Sequence, residues 1–178
     1  MAWINPTGNN DASSTWTDET KAYNDNTGDY AYTSVPKNGW SGYLELTISA
    51  ISCDSVRVWL NEGIANVSNF ECDVYYGGAW HNIQSGEPVY GQYVTFSIGS
   101  TQTITAARIR FYSTKADANG GQCYDFDFNE VASGINTQIN IGDVWKDVTG
   151  VQINIGDSWK TVTKIQINIG DVWKTIFG

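Results

Sequence analysis

The sequence predicts an all-β protein in which a β-sandwich or jelly roll is followed by three 14-residue β-hairpin repeats. Aromatic residues make up 13% of the 178-residue chain and charged residues only 16%, a balance typical of β proteins with a packed core. Short runs in which apolar and polar residues alternate recur between turn residues, and no stretch sustains a helical period of 3.6 residues. Three segments near the C-terminus align with one another without gaps, so the chain ends in a repeat.

Alternating runs define the strands of the predicted sandwich, which spans residues 1–132. In chain order the runs cover residues 43–48, 55–60, 70–76, 79–83, 93–98, 107–112 and 124–128. Gly77 and Gly78 separate the third run from the fourth, and such a spacer predicts a tight β-hairpin. In the last run three aromatic residues alternate with Asp125 and Asp127, so we expect the rings to face the core and both carboxylates to face solvent.

The repeats occupy residues 137–178, and residues 133–136 are predicted to be a short connector. Each unit reads Q-I-N-I-G-D-x-W-K, and its first residue recurs every 14 positions, at Gln138, Gln152 and Gln166. A β-branched run, a Gly-Asp turn and a second run that carries a Trp predict a hairpin. A two-residue loop puts the Trp on the Asn side of the hairpin, a three-residue loop puts it with the Ile residues, and the sequence leaves both open. One hairpin cannot bury its apolar residues alone, so the hairpins must stack on each other or on a partner chain.

The charge of the chain excludes two classes of partner. Its net charge is −9, and because residues 137–178 hold four Asp and four Lys, all the excess negative charge lies in residues 1–136. No cluster of Lys or Arg offsets it, so we expect neither nucleic acid nor an anionic membrane as a partner. No run approaches the ~20 apolar residues that a transmembrane helix needs.

The histidine and cysteine residues do not form a catalytic pattern. The one histidine, His81, lies in a predicted strand, and no G-x-S-x-G motif supplies a nucleophile for it. We therefore predict that the chain is not an enzyme. Cys53, Cys72 and Cys123 are far apart in the sequence and form no C-x-x-C motif, so we expect three buried thiols, with one disulfide and a free thiol as the alternative.

The early loop, residues 22–31 (A-Y-N-D-N-T-G-D-Y-A), is similar to the corresponding loop of galactose-binding-like β-sandwiches, the discoidin and carbohydrate-binding-module type. The closing strand, residues 124–131, resembles the last strand of that fold. Asp25, Thr27 and Asp29 offer the hard oxygen ligands that suit Ca²⁺. The resemblance implies that Glu130 completes a structural calcium site with them. The alternative is an Asx-rich turn that binds no ion.

Aromatic platforms flanked by polar groups are needed to bind sugars, because ring faces stack on the C–H groups of a pyranose. Trp16, Trp40, Tyr90 and Tyr93 lie in or beside predicted loops and are the candidates. Trp59 and Trp80 lie within predicted strands, and we expect both to be core residues.

The tail resembles the G-G/D-x-W-K repeats at the ends of bacteriophage tail, fibre and other virion-surface proteins, although the second Gly is Asp in all three copies. This resemblance implies an accessory phage protein, but the chain lacks the long shaft of familiar tail fibres. Because Trp145, Trp159 and Trp173 recur with fixed Ile neighbours, we predict that they are packing anchors in an assembly interface.

The function hypothesis that follows is a non-enzymatic structural protein of a phage virion surface, such as a capsid decoration or fibre subunit. The sandwich is then displayed outward, and the tail mediates homo-oligomerisation or attachment to a capsid or tail protein. Two alternatives place the protein outside cells. One is a carbohydrate-binding module or adhesin that recognises cell-surface glycans, and the other is a self-polymerising filament subunit.

Overall fold

The computed structural model describes residues 2–64, 67–114, 119–131, 138–141, 144–147, 152–155, 158–161, 165–169 and 172–177. The chain divides into two units, Met1–Ala132 and Ser133–Gly178. The predicted connector, residues 133–136, lies outside the described residues. Within the described ranges, no helix has the length and apolar character required to cross a membrane.

The first unit is built almost entirely of β-strands. Its one described helix is a short 3₁₀ helix, Glu19–Tyr23. The strands are β1 Ala2–Ile4, β2 Gly8–Asn10, β3 Trp16–Thr17, β4 Ala31–Val35, β5 Gly39–Trp40, β6 Leu44–Ile64, β7 Asn69–Tyr76, β8 Ala79–Gly86, β9 Tyr93–Ser113 and β10 Asn119–Glu130.

Strands β6 and β9 run through both layers of the sandwich. The start of β6 pairs with the end of β9, as Leu44 with Ile109, and the later part of β6 pairs with the start of β9, as Val58 with Val94. The register shifts where these two pairings meet, and such bulges let a strand bend without a turn. The sequence predicts residues 43–48 and 55–60 as separate strands, whereas the structure joins them in β6, because the bulges let the strand bend without a turn.

The two layers enclose one apolar core. The order of paired strands is β3-β4-β10-β6-β9-β7-β8, with β1 beside β10, β2 beside β6 and β5 beside β9. Phe70 of β7 contacts Phe96 and Phe111 from the two ends of β9, at ring-centroid distances of 6.0 and 5.5 Å. Phe111 also lies so close to Gly121 of β10 that a Cβ there would be 2.0 Å from the ring. The all-β sandwich that the sequence predicts is confirmed.

The β7–β8 hairpin is also confirmed. Tyr76 pairs with Ala79, and Gly77 and Gly78 take φ values of 60° and 84°. Positive φ at both central residues is the requirement of a type I′ turn, which glycine meets without steric cost.

The expectation that Asp125 and Asp127 face solvent is wrong. They are 0% and 1% exposed. The side chains of β6 and β9 and the 3₁₀ helix region cover this outer face of β10, while Phe126 and Phe128 fill the core on its other face. Strand β10 is thus buried on both faces, and the carboxylates need partners inside the protein.

The second unit contains three antiparallel hairpins. They pair β11 (Gln138–Ile141) with β12 (Val144–Asp147), β13 (Gln152–Ile155) with β14 (Ser158–Thr161), and β15 (Ile165–Ile169) with β16 (Val172–Phe177).

The register of these hairpins agrees with the two-residue alternative. In the first hairpin Ile141 pairs with Val144, which leaves two residues between them, and Asn140 pairs with Trp145. The other hairpins repeat this register, with Trp159 opposite Asn154 and Trp173 opposite Asn168. The side chains of the three Trp residues lie outside what the structure describes, so their role as assembly anchors stays a prediction.

Candidate functional site

Three carboxylates from distant parts of the sequence meet at the outer face of β10. Asp125 and Asp127 belong to β10, and Asp25 follows the 3₁₀ helix, in a left-handed conformation with φ of 57°. One oxygen atom from each of the three side chains lies within 4.8 Å of the other two. Asp25 is exposed, whereas the other two side chains are buried. We call these three residues the acidic cluster.

Each carboxylate of the acidic cluster accepts a hydrogen bond through at least one of its oxygens, but the second oxygen of Asp127 has no partner among the described residues. Tyr93 donates its hydroxyl to Asp125 Oδ2 at 2.7 Å, Arg57 Nε donates to Asp127 Oδ2 at 2.6 Å, and Asn5 Nδ2 donates to Asp25 Oδ2 at 2.9 Å. Asp127 Oδ1 is fully buried and accepts no hydrogen bond from the described residues.

Burial raises the pKa of Asp127 above its usual value, and the nearby charge of Asp125 raises it further, although Arg57 opposes both effects. The single guanidinium of Arg57 therefore does not compensate the carboxylates around it. A divalent cation that prefers hard oxygen ligands fits this donor set, because it would neutralise the excess charge and supply the missing partner of Asp127 Oδ1.

The acidic cluster differs from the calcium ligands that the sequence predicts. Asp25 belongs to both sets, but Asp29 and Glu130 lie outside the cluster. Asp29 accepts a hydrogen bond from Asn24 Nδ2 at 3.2 Å, and Glu130 pairs with Ala2 of β1. Thr27 is an exposed residue of the same loop as Asp25.

The Asx-rich turn that the sequence offered as the alternative is present. Asn24 Oδ1 accepts from the Asn26 backbone N–H, and Asn26 Oδ1 accepts from that of Gly28. These hydrogen bonds lie within the loop and do not involve the carboxylates of the acidic cluster, whereas the Asp25 backbone N–H donates to Asp125 Oδ1 of β10 at 3.4 Å.

Arginine and aromatic side chains alternate across the outer face of the layer that contains β7 and β8. The Cζ atom of Arg108 lies 4.4 Å from the ring centroid of Trp80 and 4.0 Å from that of Tyr43. The Cζ atom of Arg110 lies 4.3 Å from the ring of Tyr43 and 4.4 Å from that of Trp40. These five residues form one continuous stack, in which two guanidinium groups pack on the ring of Tyr43.

Carboxylates of β7 anchor this stack to the sheet. Arg108 Nε donates to Asp73 Oδ2 at 2.8 Å, and Arg110 Nε donates to Glu71 Oε2. Tyr43 donates its hydroxyl to Glu71 at 3.1 Å. The stack is therefore rigid and largely charge-neutral, and its inner ring faces are not available to a ligand.

The structure reassigns the four predicted sugar-binding residues. Trp16 is only 5% exposed, and its indole N–H donates to the carbonyl of Gly42, so its assignment as an exposed platform is wrong. One face of Trp40 is covered by Arg110, and one face of Tyr93 lies 4.0 Å from the guanidinium of Arg57. Tyr90 packs partly buried against the core.

The expectation that Trp59 and Trp80 are core residues is also wrong. Both are half-buried on outer faces of the sandwich, where Trp59 meets the edge of Tyr93 at 5.1 Å and Trp80 covers Arg108. Trp59 lies between the core residues Val58 and Leu60, so the burial that the sequence assigns to it belongs to its neighbours. Trp80 lies on β8, where no described residue is fully buried.

Trp3 is an exposed aromatic side chain that the sequence patterns do not identify as a site residue. It is 38% exposed, and Arg57 covers one face of its ring at 4.7 Å. On β1 it pairs with Asn129 of β10, which lines an open cleft of about 420 Å³ on the outer face of β6, β9 and β10. The polar lining of this cleft includes Asp54, Ser55, Thr95, Ser97, Ser100 and Asn129. The sequence carries no local signal that Trp3 is exposed, because its neighbours Ala2 and Ile4 are apolar, and the cleft forms only when strands distant in sequence pair.

His81 and the cysteines occupy structural positions. The ring of His81 stacks on the ring of Tyr76 at a centroid distance of 3.8 Å, and His81 Nε2 lies 3.3 Å from the backbone carbonyl oxygen of Tyr76. Cys53, Cys72 and Cys123 are buried, unpaired thiols, as the sequence predicts. Burial raises the pKa of Cys53 to about 11, so at neutral pH it is a thiol and not a nucleophilic thiolate.

The raised pKa of Asp127 predicts the direction of a pH effect on stability. Between its usual pKa of 3.8 and its higher folded-state pKa, the folded chain binds more protons at this site than the unfolded chain, so rising pH lowers the free energy of unfolding. Asp127→Asn removes this contribution. We expect urea denaturation in EDTA to show wild type losing stability relative to Asp127→Asn as pH rises from 3.8. A relative stability that increases over the same range would contradict the structure.

Comparison with known proteins shows the fold of the first unit. No family model and no curated protein matches the chain. A solved structure of the family 32 carbohydrate-binding module of AlyQ, in complex with 4,5-unsaturated mannuronic acid, matches with a TM-score of 0.57 and 11% identity over 74% of this chain and 100% of the module. The first such module of a family 31 glycoside hydrolase from Clostridium perfringens matches with a TM-score of 0.52 and 10% identity, over 71% of this chain and 96% of the module.

A third solved structure is the family 32 module of NanJ from C. perfringens, in complex with galactose, with a TM-score of 0.50 and 13% identity over 71% of this chain and 96% of the module. At these identities the similarity establishes architecture. The first unit of the chain has the galactose-binding-like β-sandwich fold of carbohydrate-binding modules.

Proposed function

We propose that the sandwich is a non-catalytic module that binds glycans. The observation that carries the proposal is the fold, since the similar structures are carbohydrate-binding modules and two of them hold galactose or an unsaturated mannuronic acid. The outer faces of this chain add chemistry suited to sugars. They present partly exposed aromatic rings and, in the open cleft on β6, β9 and β10, the hydroxyl groups of Ser and Thr side chains.

The glycan-binding proposal is tested by presenting the full chain, fluorescently labelled, to an array of bacterial and animal glycans. We expect the chain to be retained by a chemically related subset, because a rigid polar surface recognises particular hydroxyl arrangements. The heat-denatured chain is the control for non-specific adsorption. Retention on no glycan, while the chain remains folded by circular dichroism, would contradict the proposal.

The acidic cluster is proposed to bind a structural Ca²⁺. The support is the buried Asp127 Oδ1, which has no hydrogen-bond partner in the described part of the chain, and the convergence of three carboxylates within 4.8 Å. Asp25 lies in the loop, and the other two lie on β10, so the ion would tie the loop to the closing strand. In this role calcium supplies stability and not chemistry.

Calcium is expected to raise the melting temperature of the chain. At 100 times the dissociation constant, binding adds about 2.7 kcal/mol to the free energy of unfolding. Asp125→Asn is expected to abolish the shift in differential scanning fluorimetry, because it removes a carboxylate of the acidic cluster at nearly constant volume. Glu130→Gln is the matched control, since Glu130 lies outside the cluster, and it is expected to keep the shift. A shift lost in Glu130→Gln and kept in Asp125→Asn would favour the ligand set that the sequence predicts.

A second candidate function is a structural protein of a phage virion surface, as a capsid decoration or fibre subunit. It is favoured by the tail, in which three hairpins repeat the same pairing of Asn with Trp. Tandem units of this kind suit an interface that uses Trp145, Trp159 and Trp173 as anchors, either between copies of the chain or on a capsid or tail protein. The two functions are compatible, because a virion can display a glycan-binding sandwich.

The assembly role of the tail is tested by light scattering coupled to size-exclusion chromatography, on the full chain and on residues 1–136. We expect the full chain to be an oligomer and the truncated chain to be a monomer, because truncation removes all three hairpins. The Trp159→Ala variant of the full chain should weaken the oligomer without removing the tail. Equal masses for the full and truncated chains would contradict self-assembly through the tail.

A further inference from the structure

We propose that the cleft beside Trp3 is the glycan site of the sandwich and that it takes a neutral saccharide in preference to uronic or sialic acids. This inference rests on the proposed glycan-binding function, to which it adds a location and a ligand class. The cleft lies on an outer sheet face, away from the arginine–aromatic stack on the other layer.

Strand pairing builds the floor of the cleft. Trp3 pairs with Asn129, and Ser55 pairs with Ser97, so these residues form a row across β1, β10, β6 and β9. A register shift between Phe128 and Glu130 places Asn129 against β6, where its Nδ2 donates to Ser55 Oγ at 3.1 Å. The row presents polar groups on three adjacent strands, β10, β6 and β9, at intervals of about 4.8 Å, a spacing that hydroxyls along a saccharide can meet.

Hydrogen bonds fix the orientation of the polar groups before a ligand arrives. Asn129 Nδ2 donates to Asp54 Oδ1 at 2.9 Å, and Ser55 Oγ donates to the same oxygen at 2.7 Å. Both donors of the Asn129 amide point toward β6, which leaves its carbonyl oxygen as an acceptor for a ligand hydroxyl. Asn129 is also only 8% exposed, so both burial and these hydrogen bonds restrict its side chain.

Trp3 supplies the aromatic wall at one end of the row. Arg57 packs on its indole at 4.7 Å and is itself anchored by Asp127, so the ring packs against a fixed side chain. The indole is nevertheless 38% exposed, the highest exposure among the Trp residues with described side chains. An exposed indole beside oriented hydroxyl-binding groups is the combination that recognises a pyranose.

The charge of the cleft selects against acidic sugars. Asp54 is its one charged lining residue, and its carboxylate accepts hydrogen bonds but repels an anion. The nearest described guanidinium, that of Arg57, is engaged by Asp127. Sugar hydroxyls donate to Asp54, whereas a uronate or sialate would face it without a compensating cation. The volume of about 420 Å³ lies within the range of small-molecule sites.

The test compares two substitutions of the same residue type on β9 in the full chain. Thr95 lines the cleft and is exposed, and Thr103 is exposed on the same strand but outside the cleft. Using a neutral oligosaccharide retained on the array, we expect isothermal titration calorimetry to show at least about a tenfold loss of affinity for Thr95→Trp, which fills the cleft, and none for Thr103→Trp. Trp3→Ala should also weaken binding, and Asp54→Asn should improve the binding of the matching uronic-acid oligosaccharide.

The outcomes separate the site from the function. If wild type binds glycans and Thr95→Trp binds them equally well, the cleft is not the glycan site, although the proposed glycan-binding function still holds. Preference of wild type for uronic or sialic acids would overturn the ligand class. If folded wild type binds no glycan, both the proposed function and this inference fail. Circular dichroism of each variant confirms that a lost affinity is not lost folding.

Discussion

The structure depends on how the closing strand β10 accommodates carboxylates on a face that is not exposed to water. Asp125 and Asp127 are fully buried, and a buried charge is tolerated only when it is paired. Arg57 of β6 pairs with one of the carboxylates and the Tyr93 hydroxyl of β9 donates a hydrogen bond to the other, while the loop that carries Asp25 closes over the same place. The strands of one layer are thereby joined through side chains as well as through their backbone ladders.

The pairing of Arg57 with Asp127 has consequences beyond charge neutralisation. The fixed guanidinium lies between the rings of Trp3 and Tyr93, so the acidic cluster indirectly orients the aromatic wall of the proposed glycan site. An ion in the acidic cluster would strengthen this support without touching a ligand. The other layer uses the same arrangement, because Arg108 is held by Asp73 and packs between Tyr43 and Trp80. In that layer the ring faces pack on guanidinium groups, so this surface stabilises the fold and does not offer those faces to a ligand.

The sequence predicts most of the fold but little of the site, and the reason is the range of the interactions. Alternation over residues 107–112 and the Gly77-Gly78 turn are local signals, and both are confirmed. Alternation at β10 correctly separates Phe126 from Asp127, but it does not reveal that both faces of the strand are covered. That outcome depends on Arg57, which is 70 residues away in the sequence. Trp16 was similarly misassigned because its burial is due to Phe111, across the core.

In the proposed site, the sandwich recognises a neutral saccharide on the outer face beside Trp3. The most direct measurement is an NMR titration of the isotope-labelled full chain with such a saccharide, which monitors the chemical shifts of the backbone amides and the indole N–H groups. We expect the largest chemical-shift changes at the Trp3 indole N–H and at the backbone amides of Ser55, Ser97 and Asn129. Changes concentrated at Trp40 and Trp80, or no changes at saturating saccharide, would contradict it.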